Sequence, residues 1–387
     1  MKRYVVLSAA LFIQVCLGGL YAWSEFIPKL KLEYSISTTQ TQIIFGTTIA
    51  MFTIAMLLAG RLQDKKGPMF VAFIGGILFG AGYLISAFSN GNFYILILGV
   101  GIVSGTGIAF GYVAPLATCV KWFPNHKGLV TGISVAGFGG GAILLAELVE
   151  FCFVMGLHIN DVFLWIGVVY GTVIIASSLF LSIPPDYILP VKKNLINLHT
   201  LTRDRKFWRM VLGMFAGTFA GLLVIGNLKP LGLSVGLSST VATAGISLFA
   251  LGNAAGRIFW GNFYDKIGNT TVPLSLLWIT LSVGALLFLG ENNIIFLLLS
   301  LFIGMGFGSC FVLYATSASH IYGANILGSV YPWIFLAYGF SGIMGPITGG
   351  WLFDSTGAYA PAIILATCLT AIGALGCHLL QKKNQTC

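Results

Sequence analysis

The sequence predicts an all-α membrane protein of twelve transmembrane helices, built as two six-helix halves related by pseudo-two-fold symmetry. Three observations predict it. Of 387 residues, 57% are hydrophobic and only 8% charged, against about 25% charged in soluble domains, and the mean hydropathy is +0.94. Apolar stretches long enough to cross ~30 Å of hydrocarbon recur along the whole chain. A polar octapeptide after the second stretch recurs after the eighth. So few charges exclude a soluble enzyme. The net charge of +9 sits in short runs between apolar stretches rather than on one face, which excludes nucleic acid as a partner.

The stretches run Tyr4–Ile27, Thr41–Gly60, Met69–Phe88, Phe93–Val120, Leu129–Phe153 and Val162–Ile183. They resume over Phe207–Gly226, Ser239–Gly261, Val272–Leu289, Ile294–Ser317, Ser329–Phe353 and Ala360–Leu380. The first follows Met1-Lys2-Arg3 like a signal peptide, but its length suits a retained span. The seven cysteines lack metal-ligand spacing and read as small buried hydrophobes. Short cytoplasmic loops are enriched in Lys and Arg. With the N-terminus inside, sixteen of the twenty cations fall on the cytoplasmic side and only Lys29, Lys31 and Lys229 outside. Both termini are then cytoplasmic, in a bacterial or archaeal inner (plasma) membrane. The polar segment 184–206 is a cytoplasmic linker between an N-terminal half, 1–183, and a C-terminal half, 207–387.

The repeated octapeptides are Gly60-Arg61-Leu62-Gln63-Asp64-Lys65-Lys66-Gly67 and Gly261-Asn262-Phe263-Tyr264-Asp265-Lys266-Ile267-Gly268. Gly, Asp, Lys and Gly recur in register. Parallel six-helix repeats are how many alternating-access carriers are built, with the substrate site near the midplane between halves.

Arg257 is the one cation left over once loops and span ends are counted, and it lies inside a span. Such a residue costs at least ~2.5 kcal/mol to insert and faces a cavity or a partner. Eight residues before Asp265, it lies roughly 12 Å deep. The acids in spans, Glu25, Glu147 and Glu150, all fall near the outer face, too far to neutralise it. A substrate carboxylate held by two parallel guanidinium N–H bonds is the functional reading; carbonyl bonding or snorkelling is the structural one. Asn253, at i−4 on the same face, either joins the site or makes an interhelical hydrogen bond.

Tyr331, Phe335 and Tyr338 share a helix face at i, i+4 and i+7. With Tyr21, Trp23 and Tyr112 they are expected to wall a cavity around a short apolar tail, unless each merely packs or belongs to an interfacial belt. Glu25, Glu147 and Glu150 are candidate proton carriers, since burial raises a carboxyl's pKa; the alternative is three interface residues. Asp64 and Asp265, with Arg61 and Lys65, are candidate gate latches at helix ends, or a plain turn with topogenic cations. Gly99 to Gly111 and Gly137 to Gly141 suit close helix contacts, not nucleotide loops. No catalytic or metal-ligand cluster occurs, so neither enzyme nor cofactor is expected. Charged rings and a carbonyl filter motif, which a channel needs, are missing.

The two octapeptides resemble the Gly-x-Leu-x-Asp-(Arg/Lys)-x-Gly motif of the major facilitator superfamily; the second copy departs from it at Phe263. Within that superfamily the chain resembles the oxalate:formate antiporters and monocarboxylate carriers. That likeness rests on Gly18-Gly19-Leu20-Tyr21-Ala22-Trp23-Ser24, Lys121-Trp122-Phe123-Pro124 with Lys127-Gly128-Leu129, Asn253 with Arg257, and Tyr331, Ala337-Tyr338-Gly339 and Gly345-Pro346. The resemblance to the antiporters implies a second cation in the eleventh span, where Tyr338 stands instead. One buried charge suits a monocarboxylate better than a dianion. The expectation is therefore a monomeric secondary transporter of lactate-, acetate- or formate-like anions with proton symport. Carboxylate exchange is the alternative, and a non-transporting sensor on a carrier fold a more distant one.

Overall fold

The computed structural model describes residues 2–123, 127–185, 198–323 and 327–382. Helix accounts for nearly all of them, in twelve long elements: α1 Lys2–Tyr34, α2 Thr38–Lys66, α3 Pro68–Ala87, α4 Phe93–Trp122, α5 Lys127–Val154, α6 Ile159–Ser178, α7 Arg205–Ser234, α8 Ser239–Ile267, α9 Thr271–Gly284, α10 Asn293–Tyr322, α11 Leu327–Thr356 and α12 Ala360–Lys382. By length and hydropathy they form eleven membrane-crossing segments, because α8 and α9 run on through a 3₁₀ turn at Gly268–Thr270 as one apolar stretch. The chain is a multi-pass membrane protein.

Two compact units divide between residues 188 and 189, and each repeats the same pairing of helices. In the first, α1 packs on α5, α2 on α4 and α3 on α6; in the second, α7 packs on α11, α8 on α10 and α9 on α12. Without a hydrophobic drive inside lipid, such pairs depend on close van der Waals approach. Glycine supplies it. Gly18 meets the carbonyl of Phe138 and Gly141 that of Val15, leaving no room for a Cβ between α1 and α5. Between α8 and α10 the contact is reciprocal: Gly252 and Gly256 lie on the carbonyls of Leu301 and Met305, and Gly304 and Gly308 on those of Phe249 and Asn253.

The repeated octapeptides are helical for all but their last residue. Arg61 and Lys65 belong to α2, and Asp265 to α8. Gly67 (φ +86°) and Gly268 (φ +60°) end the two helices, in a region of backbone space that glycine enters without steric cost. The repeat is thus a helix C-terminus rather than a loop.

Several boundaries move. The predicted linker begins to be helical at Leu198–Arg203, and Arg205 and Lys206 are the first turn of α7, capped by Asp204, which accepts from the Lys206 N–H at 2.8 Å. Residues 186–197 lie outside the described residues, as do Pro124 and the side chains of Lys127 and Leu129. At its other end α7 continues two turns past Gly226 to Ser234, so Lys229 is no loop cation. It is 2% exposed and donates to Thr243 Oγ1 at 3.1 Å. Among the cysteines, Cys368 is exposed and Cys152 half-buried, against the expectation that all are buried; Cys387 lies outside the described residues.

Candidate functional site

Arg257 and Asn253 sit one turn apart on α8, and the Arg257 Nε–H donates to Asn253 Oδ1 at 3.3 Å. Asn253 is buried and Arg257 half-buried. The guanidinium lies 4.6 Å from the ring centre of Phe311, on α10. A cation over an aromatic face gains roughly 0.5–1 kcal/mol when exposed and about 2 or more when desolvated. Phe311 was not singled out in the sequence, where it is one of thirty phenylalanines. The signal that finds it is the pair of Gly-x-x-x-Gly registers: docking Gly304 and Gly308 on α8 brings the next turn of α10 over Arg257.

The aromatic face of α11 joins this group. Phe311 lies 5.4 Å from Tyr338 and 6.3 Å from Phe335; Phe335 stacks on Tyr338 at 5.1 Å and packs on Tyr331 at 5.7 Å. The Tyr331 hydroxyl donates to the Phe311 carbonyl at 3.5 Å. Three helices of one unit thus assemble a cation, a carboxamide and four rings. The Arg257 terminal nitrogens form no hydrogen bond or ion pair among the described residues. They offer two parallel donors to a planar anion.

In the first unit the predicted aromatics divide. Tyr21 and Tyr112 both meet Phe138 edge-on, at 5.6 and 5.3 Å, and Tyr112 also meets Phe52 at 5.2 Å. Gln14 donates to the Tyr112 carbonyl at 3.3 Å. Trp23 stands apart from them. Its Nε1–H donates to the Thr41 carbonyl at 3.0 Å and its ring packs on Phe26. Two residues after Tyr21, it faces another side of α1, in a segment, Gly19–Glu25, that is wound as a 3₁₀ helix. The same segment carries Glu25 inward to 1% exposure, whereas Glu147 is exposed and Glu150 half-buried. Of the gate candidates, Arg61, Lys65 and Asp265 are exposed and make no hydrogen bond or ion pair among the described residues. The Asp64 side chain lies outside them.

The sequence matches the Major Facilitator Superfamily model over residues 9–346 and again over 210–385. It is 27% identical to "Uncharacterized MFS-type transporter YhjX" of Escherichia coli, over 88% of this chain and 86% of that protein. It is 25% identical to the oxalate:formate antiporter of Oxalobacter formigenes, over 99% and 92%, and 25% identical to monocarboxylate transporter 11 of Homo sapiens, over 96% and 81%. Among solved structures, a bacterial homologue of the human lysosomal transporter Spinster, inward-facing and unoccupied, matches with a TM-score of 0.76 over 98% of this chain and 96% of that one. At 16% identity that likeness is one of fold.

Proposed function

The chain belongs to the major facilitator superfamily and is a transporter; from that premise we propose that it carries small monocarboxylates by alternating access, a proton accompanying each anion. The observation that carries the reading is the posture of Arg257. Asn253 occupies its Nε–H and Phe311 its face, so that only the edge bearing the two terminal nitrogens remains for a ligand. A carboxylate matches that edge with two charge-assisted hydrogen bonds. Phe311, Tyr331, Phe335 and Tyr338 suit a short apolar tail and oppose a second charge. Tyr338 in place of a cation leaves a dianion with half its charge unmatched, which favours lactate, acetate or formate over oxalate.

Charge balance supplies the coupling. An empty site carries the Arg257 charge, and an anion entering with a proton returns the carrier to the same net charge. Glu25, buried in α1, is the acid whose setting best suits proton uptake; Glu147 and Glu150 are the lesser candidates. Exchange of one carboxylate for another is the second reading, favoured by the likeness along nearly the whole chain to a protein named as an oxalate:formate antiporter. Arg61, Asp64, Lys65 and Asp265 are the groups proposed to make and break contacts as access alternates. The cation-rich helix ends would face the cytoplasm of a cell whose inner membrane holds the protein as a monomer.

Proteoliposomes of the purified protein test this. Uptake of radiolabelled lactate, acetate or formate into empty vesicles, driven by an inward proton gradient, is the expected result. Uptake only into vesicles preloaded with unlabelled anion would replace symport with exchange, and binding without movement would overturn transport of these anions.

A further inference from the structure

Four cations fall within seven residues around the start of α7: Arg203, Arg205, Lys206 and Arg209. The one acid among them, Asp204, is already engaged. Its Oδ1 caps α7, and its Oδ2 accepts from the Tyr322 hydroxyl at 2.5 Å. Arg203, Arg205 and Lys206 are exposed. Arg209 is different, for it is only 7% exposed and its guanidinium makes no hydrogen bond or ion pair among the described residues.

The Tyr322–Asp204 bond seats the start of α7 against the end of α10, and the Cys377 Sγ–H of α12 donates to the Arg209 carbonyl at 3.7 Å, so Arg209 stands where α7 starts and α10 and α12 finish. The buried Tyr314 hydroxyl in the same place also has no hydrogen-bond partner. A buried guanidinium without an anion is costly, by several kcal/mol of lost hydration. Five N–H donors and a nearby hydroxyl make a place for oxygens of an anion that the chain does not provide.

The surroundings indicate which anion. Trp208 is exposed beside the cluster with its indole N–H on the Thr202 carbonyl at 2.7 Å, and exposed tryptophans at the ends of membrane helices mark the headgroup layer. The cluster immediately precedes an apolar span, where basic residues meet anionic lipid. We propose that the start of α7 binds the phosphate of an anionic phospholipid, Arg203, Arg205 and Lys206 drawing the headgroup in and Arg209 holding a phosphate oxygen. This site is separate from the Arg257 group, which lies about two and a half turns before Lys266 at the basic end of α8.

The test uses the purified full-length protein in detergent, with phosphatidylglycerol or phosphatidylcholine added, read by thermal melting and by native mass spectrometry of retained lipid. Wild-type protein is expected to retain phosphatidylglycerol in preference and to melt higher with it. Changing the three exposed cations together, Arg203→Gln, Arg205→Gln and Lys206→Gln, leaves the interior intact and should weaken retention on the order of 100-fold, about fivefold per charge. Arg209→Gln should abolish the lipid-specific shift, and Arg209→Lys should keep most of it. Equal stabilisation by the two lipids, or wild-type retention by both the triple variant and Arg209→Gln, overturns the proposal. So does inorganic phosphate alone reproducing the full shift, since the ligand would then be a free anion and not a lipid.

Discussion

Replacing Arg257 by lysine keeps the charge and removes the shape, which makes it the sharpest perturbation of the proposed site. The guanidinium donates Nε–H to Asn253 at 3.3 Å, lies 4.6 Å from the centre of Phe311, and keeps both terminal nitrogens for an anion. An ammonium on a flexible stem offers no fork and no flat face. One of two charge-assisted hydrogen bonds to the carboxylate is lost, about 1.5–3 kcal/mol. Part of the cation–π contact goes too, roughly 0.5–1 kcal/mol. The sum, about 2–4 kcal/mol, predicts an apparent affinity on the order of 30- to 1,000-fold weaker. Initial uptake rates measured over a concentration series in proteoliposomes give that affinity, with melting temperature as a control for folding. An Arg257→Lys carrier within threefold of wild type would refute the bidentate edge and leave Arg257 as a simple point charge.

The remaining expectations concern the surroundings of that residue. A Cβ at Gly308 would lie 3.1 Å from Asn253 Oδ1 and harder still against its carbonyl, so Gly308→Ala should lower the melting temperature by an overpacking cost of about 1–3 kcal/mol and weaken uptake with it; unaltered melting would mean that α8 and α10 separate freely. Glu25→Gln should abolish proton-driven uptake while Glu147→Gln and Glu150→Gln leave it intact, and full pH-driven uptake by the Glu25 variant would end its role as proton carrier. Tyr338→Lys should shift preference towards dicarboxylates in competition assays, and unchanged selectivity would remove Tyr338 from the substrate's surroundings.

The twelve spans were legible because lipid demands a long apolar run whatever the tertiary contacts, and the repeat because the same polar octapeptide closes two of them. Arg257 and Asn253 were legible for the complementary reason, that a charge in such a run is costly and a carboxamide one turn away shares its face. The end of α7 was not legible. Lys229 reads as a loop cation in any hydropathy scan, yet its ammonium is held inside the unit by Thr243, a contact with a different helix. Trp23 was legible as standing apart, since a residue two after Tyr21 cannot share its helix face, whereas nothing in Gly19–Glu25 announces that this segment is wound as a 3₁₀ helix. Phe311 needed knowledge of which two helices pair.

The reciprocal seam between α8 and α10 sets a limit on how this protein could work. Four glycines lie on four carbonyls across it, so neither helix can slip past the other without main chain striking main chain. Asn253 and Arg257 ride on one side of the seam and Phe311 on the other, and the arrangement of these three is therefore the same in whatever posture the unit adopts. A ligand held equally in two states biases neither. For a carrier of the proposed kind that neutrality is an asset, because a loaded site would otherwise rest in the better-fitting state and turn over slowly. The looser partner of the proposed site is α11, tied to Phe311 by a long hydrogen bond from Tyr331 and by ring contacts with Phe335 and Tyr338.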